Sequence, residues 1–252
     1  MLPQTPRRES KLPGWALSTA YFARGEILQE QEAPVAQVYF PMSGLVSLVS
    51  VMEDGQEIET ALVGRDGAVG AFVGLGRWNA FARATVQIPA TCAVITESYF
   101  RAAVSRNEPI RDLMLRFRET LFGQVQQTAA CNALHPLEAR LARWLLQALD
   151  LTDHRELPLT QEGLAKMLGV RRTSVTLAAN SFQADGLIRY RRGHIVVLNR
   201  VGLEHVACEC YRAIRRRARR EEERRPRRVA ILHSDNMLTL ENSVAPSIGA
   251  EE

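Results

Sequence analysis

Between residues 35 and 88, short runs have alternating apolar and polar positions or are rich in β-branched residues: Val35–Phe40, Gly44–Val51, Glu57–Val63 and Ala84–Ile88. A period of two is that of half-buried strands. Gly25, Pro41, Gly44, Asp54-Gly55, Gly64, Asp66-Gly67 and Pro89 punctuate them. Regular spacing with such turn residues predicts a sandwich or barrel-like β-domain. From Pro109 the period lengthens. Ile110, Met114, Phe117, Leu121, Val125 and Thr128 share one stripe of a helix running to about Leu134. A stripe on a helix between two domains is a candidate dimer seam. Packing against the chain's own β-domain is the other reading, and different faces of one helix can do both. Pro136 opens a second helix, with Leu137, Leu141, Leu145 and Leu149 inward.

Residues 159–198 then predict a winged helix-turn-helix. Thr160 can cap a helix whose inner face is Leu164, Ala165 and Leu168. Gly169 supplies the tight turn, Val170 plugs the angle, and a second helix starts near Arg171–Thr173. In such a unit the second helix lies in the major groove with its N-terminal side chains on base edges. Here those are Arg171, Arg172, Thr173 and Ser174, two cations and two hydroxyls, with Thr176 and Leu177 one turn on and Thr160 and Gln161 on the preceding helix. After Gly186-Leu187-Ile188 a hairpin from Arg189 to Leu198 turns at Arg192-Gly193. It reads as a wing whose Arg189, Arg191 and Arg192 lie beside the phosphate backbone. A further helix spans Arg200 to about Arg220. Its last turns, Arg215 to Arg225, are a charge run that reads as a solvated helix end or an extra phosphate contact. Beyond Pro226 the composition predicts a poorly ordered tail over 226–252.

Charge sharpens this picture. The 252 residues carry a net charge of +4, but residues 1–150 hold 14 basic and 15 acidic side chains, and residues 151–228 hold 18 and 9. The positive excess therefore gathers around the helix-turn-helix, as attraction to phosphates requires. The four cysteines (92, 131, 208 and 210) show no disulfide-framework spacing, which fits a reducing cytoplasm, and no apolar run reaches the length of a bilayer span. The first 11 residues lack the apolar core of a signal peptide.

A β-domain, one long helix and a winged helix-turn-helix, in that order, resemble the Crp/Fnr family of bacterial transcription regulators over about residues 12–213. Leu159–Leu198 looks like the family's DNA-binding signature nearly end to end. The β-domain matches more loosely, through Gly25-Glu26, Glu30-Gln31-Glu32, Val38-Tyr39-Phe40 and Gly44. Gly64-Arg65-Asp66-Gly67-Ala68-Val69-Gly70 is similar to the entry of the family's cyclic-nucleotide phosphate-binding loop. The resemblance implies an α+β chain with a double-stranded β-helix (jelly-roll-like) domain over 12–108, a dimerisation helix over 109–134 and a winged helix-turn-helix over 136–213. It also implies a homodimer on palindromic double-stranded DNA, with RNA polymerase as a further partner.

The departures concern the effector. In nucleotide-binding members a glutamate follows the loop glycine for the ribose, and an arginine holds the cyclic phosphate. Here Ala68 stands at the first position and Ala82 at the second, with Arg83 one residue late and Arg77 upstream. A one-residue slip on a strand sends a side chain to the opposite face. The expectation is a regulator not gated by cyclic AMP, its pocket being Gly67, Ala68, Val69, Gly70, Arg77, Ala82 and Arg83 and its small-molecule effector unknown. A nucleotide held instead by Arg77 or Arg83 is the alternative, and Trp78 and Phe81 are candidates to fill the nucleotide volume. In the reading helix Arg172 matches the family's guanine-contacting arginine. Thr173 replaces a glutamate and Leu177 an arginine, which predicts a different half-site.

Cofactors are not expected. No cysteine precedes Cys92, so the N-terminal cluster of iron–sulfur members is missing. His135, His154, His194, His205 and His233 are scattered. Cys208 and Cys210, two apart on one helix, point to different sides and read as small apolar residues. Neither a P-loop, a nucleophile elbow nor His-Glu-x-x-His is present, which argues against catalysis. A non-DNA-binding module that regulates a protein partner is the remaining alternative.

Overall fold

The computed structural model of the protein describes residues 17–77, 79–152 and 156–223, with side chains to 220. Residues 12–16, Trp78, His154, His233 and the 226–252 tail lie outside the described residues.

The β-domain holds β1 (Ser18–Phe22), β2 (Ile27–Gln29), β3 (Gln37–Pro41), β4 (Leu45–Val51), β5 (Glu57–Val63), β6 (Arg83–Ile88) and β7 (Ala90–Thr96). They form two antiparallel sheets, β1-β7-β3 and β2-β6-β4-β5. Pro89 alone separates β6 from β7, so the chain steps there from one sheet to the other. Gly44 sits against that corner at φ +79°, where a Cβ would stand 2.2 Å from the Pro89 carbonyl oxygen. No side chain fits at that position. Inward residues of both sheets, among them Leu28, Val46, Val63, Val86, Cys92 and Val94, make the core of this jelly roll together with Val69, which bridges to Tyr39.

Helix α1 (Glu97–Arg106), which the strand pattern does not predict, leads into the 27-residue α2 (Glu108–Leu134). The Asn107 side chain accepts from the Ile110 amide at 3.2 Å, and Pro109 sits in the first turn. The stripe proposed as a dimer seam is turned onto the chain's own β-domain. Ile110, Met114 and Phe117 pack with Val38, Val73 and Phe100, and Leu121 and Val125 join the jelly-roll core. Thr128 is buried too. The stripe therefore serves the chain's own β-domain. A face of α2 flanking the stripe, about 100° round the helix, carries Leu115, Phe122 and Ala129 at seven-residue spacing, and Phe122 is 62% exposed.

Beyond Pro136 come α3 (Leu137–Leu151), β8 (Glu156–Leu157), α4 (Gln161–Leu168), α5 (Arg172–Ala184), β9 (Ile188–Arg191), β10 (His194–Val197), α6 (Arg200–Val206) and α7 (Glu209–Glu223). The single helix expected over 200–220 is thus two. Ala207 leaves the helical region (φ −64°, ψ 142°) and its amide caps α6 on the Leu203 carbonyl. The charge run is only partly solvated, because α7 returns along α2 and Arg217 donates to the Gly123 carbonyl at 2.7 Å.

The two domains share a buried seam. Leu45, Leu62 and Ile88 of the β-domain pack with α3 and α4 residues. Within that seam Glu59 accepts from Trp144 Nε1 at 2.6 Å and from the Ser47 hydroxyl. Burial outweighs these bonds and the nearby Arg143 charge, and pushes the Glu59 carboxyl up to about 7.

Candidate nucleic-acid interface

The turn between α4 and α5 follows from its residues. The Thr160 hydroxyl caps α4 by accepting from the Gly163 amide at 3.1 Å. Gly169 ends α4 in the left-handed region at φ 63°, and its amide closes on the Ala165 and Lys166 carbonyls. Val170 packs against the core and α5 starts at Arg172. Val175, Ala178, Ala179 and Phe182 form the buried face of α5.

The opposite face is open. Arg171, Arg172 and Thr173 are exposed at the N-terminus of α5, Ser174 is half-buried, and Leu177 is 71% exposed. Thr176 and Gln161 are used within the unit: the Thr176 hydroxyl donates to Gln161 Oε1 at 2.8 Å, which holds α5 against α4. Thr160 also receives a bond from Arg24 of the β-domain at 3.0 Å. These bonds hold α5 against α4 and tie the start of α4 to the β-domain.

The wing is a hairpin of β9 and β10, with β8 as the third strand of its sheet. Arg192 (φ 49°) and Gly193 (φ 80°) both have positive φ, the geometry of a two-residue turn that matches strand twist. Tyr190 fixes its approach, since its amide donates to Gln183 Oε1 and its hydroxyl accepts from the Gln161 amide. On the other side of the strand Arg189 and Arg191 are exposed, as is Arg192 at the turn. Five arginines of α5 and the wing therefore reach solvent, and none makes an ion pair with a described residue. Such a surface is chemically suited to phosphate oxygens and to guanine edges.

The effector loop differs. Ala68 and Val69 are buried, and Gly67 lies so close to Phe117 that a Cβ would approach that ring to 2.9 Å. Gly70, at φ +79°, opens the 3₁₀ turn Ala71–Leu75. Ala82 is buried and its carbonyl accepts from Gln29. Arg83 is held by Glu30 at 2.7 Å and by Glu57, and the bond to Glu30 raises its pKa. Arg77 bonds the Asn79 carbonyl and stacks over Phe81 at 4.4 Å. Phe81 itself is 61% exposed, so it does not occupy a nucleotide volume as expected. Phe72 is the aromatic that packs inward, against Phe117.

One group of side chains escaped the sequence reading. Cys131, His135, Cys208 and Cys210 converge, with one ligand atom of each within 4.8 Å of the others. The break at Ala207 defeats the helical argument that separated Cys208 from Cys210. A Cys-x₃-His pair across the end of α2, together with Cys-x-Cys, was the available signal.

Comparison with known proteins accords with this layout. Residues 19–107 match the model of the cyclic nucleotide-binding domain, and residues 139–206 match the Crp-like helix-turn-helix domain. A curated relative, the global nitrogen regulator of Synechococcus elongatus, is 25% identical over 202 residues, covering 77% of this chain and 90% of its own length. FixK2 from Bradyrhizobium japonicum superposes with a TM-score of 0.66 at 15% identity, covering 77% of this chain and 98% of that one. A CRP-family transcriptional regulator from Thermus thermophilus gives 0.62 at 22% identity, covering 75% and 96%.

Proposed function

We propose, for a chain that belongs to the Crp/Fnr family of transcription regulators, that it binds palindromic promoter DNA as a cytoplasmic homodimer and is not gated by cyclic AMP. The observation that carries this reading is the row of five exposed arginines on α5 and the wing, unpaired among the described residues. The N-terminal turns of α5 enter a major groove, Arg172 takes a guanine edge, and Arg189, Arg191 and Arg192 lie along the backbone. Leu177 meets a thymine methyl where relatives place a cation. Two copies pair through the flank of α2 where Leu115, Phe122 and Ala129 repeat every seven residues and Phe122 and Ala129 are exposed. That pairing sets two reading helices about 34 Å apart, one turn of the duplex. Docked there, the chain contacts RNA polymerase. It performs no catalysis.

Independence from cyclic AMP is supported by the pairing of Arg83 with two carboxylates and by alanine at 68 and 82. An anion would have to break those pairs without a replacement donor. Selection from a random duplex pool by the full chain tests the DNA reading. The expected outcome is an inverted repeat whose half-sites are one helical turn apart. No enriched motif would favour a module that acts on a protein partner.

A further inference from the structure

Four side chains that the DNA reading does not use meet where α2 hands over to the DNA-binding domain. Cys131 lies in the last turn of α2 and His135 caps it, its amide bonded to the Cys131 carbonyl at 3.1 Å. Cys208 and Cys210 flank the start of α7, which packs back on α2. Cys131 and Cys208 bring their sulfurs to 3.5 Å, and Cys210 Sγ lies 3.6 Å from His135 Nδ1. The three thiols are buried, at 0, 8 and 1% exposure, and among the described residues Ala139 packs on them as a partly buried apolar neighbour. We propose that Cys131, His135, Cys208 and Cys210 form a tetrahedral Cys₃His site for a soft divalent ion of the zinc class, which ties the end of α2 to the start of α7.

The spacing fits a single ion. Metal–sulfur bonds of about 2.3 Å in a tetrahedron set sulfur–sulfur distances near ~3.8 Å. All four donors already lie within 4.8 Å, whereas a cluster of several irons holds its ligands further apart. A disulfide is the competing fate of Cys131 and Cys208, but it would leave Cys210 and His135 without a role.

The surroundings are those of a ligand set. His135 offers Nδ1 to the cluster while its Nε2 faces Glu209 Oε1 at 3.2 Å. A carboxylate behind a histidine fixes the tautomer that leaves the other nitrogen free for metal. Gln127 donates to Cys210 Sγ at 3.1 Å, a bond that suits a thiolate. Charge balance points the same way. Three thiolates on a dication leave one negative charge, and two buried guanidiniums face it. Arg140 and Arg143 lie on α3, which begins just past His135, and neither Nε has a hydrogen-bond partner among the described residues. Buried cations of this kind need a nearby anion.

The test uses the full chain, purified under reducing conditions without chelator. Elemental analysis should find about one zinc per chain, and Cys131→Ser or Cys208→Ser should lower that to roughly a tenth. Cys92→Ser, in the jelly-roll core, should keep the ion. Replacing the ion by Co(II) should give thiolate charge-transfer bands and the intense visible bands of a tetrahedral ion. His135→Cys should keep the ion and strengthen the charge-transfer bands. Glu209→Gln should weaken affinity by about 10- to 100-fold in competition with a chelating dye, the cost of losing a partner behind a ligand. The proposal is overturned by wild-type chain holding no more zinc than Cys131→Ser together with a weak octahedral Co(II) spectrum. A Cys131–Cys208 disulfide found in chain whose free thiols are alkylated at lysis, before any reductant is added, also overturns it. Wild-type metal content and the Co(II) spectrum decide the matter even where a serine variant fails to fold.

Discussion

The reading head and the effector loop both carry arginines, and the fold treats them in opposite ways. On α5 and the wing, Arg171, Arg172, Arg189, Arg191 and Arg192 stand in solvent without a carboxylate partner among the described residues. In the β-domain, Arg83 is clamped by Glu30 and Glu57, and Arg77 lies on the Phe81 ring. A cation that recognises a ligand must be left unsatisfied by its own chain, because a phosphate gains nothing from a guanidinium already paired. Both domains match family models, but the availability of charge separates them: the arginines of α5 and the wing are open, whereas Arg83 is already paired.

The largest expected effect comes from stripping the wing. Replacing Arg189, Arg191 and Arg192 together by alanine removes three phosphate contacts. At about 0.9 log unit each per tenfold change in salt, that amounts to roughly 500-fold in affinity between 1 M and 0.1 M salt. Fluorescence anisotropy on a selected duplex should show the loss at low salt, a shallower salt slope and unchanged base preference. An unchanged slope would place the wing off the backbone.

The seam between the two regions gives the next effect. Glu59, with a pKa of about 7 when folded against an ordinary 4.5, keeps its proton where the unfolded chain has lost it. Its contribution is therefore most favourable below about pH 4.5 and declines as pH rises to about 7, by about 3 kcal/mol in all. Urea unfolding at a series of pH values should show this decline in wild type relative to Glu59→Gln. Parallel curves would mean that Glu59 titrates alike in the folded and the unfolded chain.

Within the reading head, Arg172→Ala should cost about 1–3 kcal/mol and relax preference at one base pair of each half-site. A base-substitution binding series measures it, and intact discrimination removes Arg172 from the guanine. The smallest effect is expected in the effector loop. Arg83→Ala should change stability by about 1 kcal/mol or less, as for other exposed pairs, and leave DNA affinity alone. Thermal unfolding and anisotropy of that variant report both.

Much of the helix-turn-helix was legible because its signals are local: a cap at Thr160, a left-handed glycine at 169 and a two-residue turn at Arg192-Gly193. The strands of the jelly roll showed in their alternation, though β1, β2 and β7 did not, being short or fed by a corner. What periodicity could not give was which neighbour a face meets. The stripe on α2 was visible, yet its partner turned out to be the chain's own β-domain. Phe81 points outward, with Arg77 stacked on its ring, and no periodicity marks that orientation. The break at Ala207 carries no glycine or proline, so nothing local announced it, and with it went the meeting of Cys131 and Cys208 across 77 residues.

The contrast between the two regions is tested most directly by titrating the chain with its selected duplex, across salt concentrations, with and without saturating cyclic AMP. The account predicts tight binding that falls steeply with salt along one line common to both conditions. A tenfold or greater gain in affinity on adding cyclic AMP would contradict it, as would binding indifferent to salt.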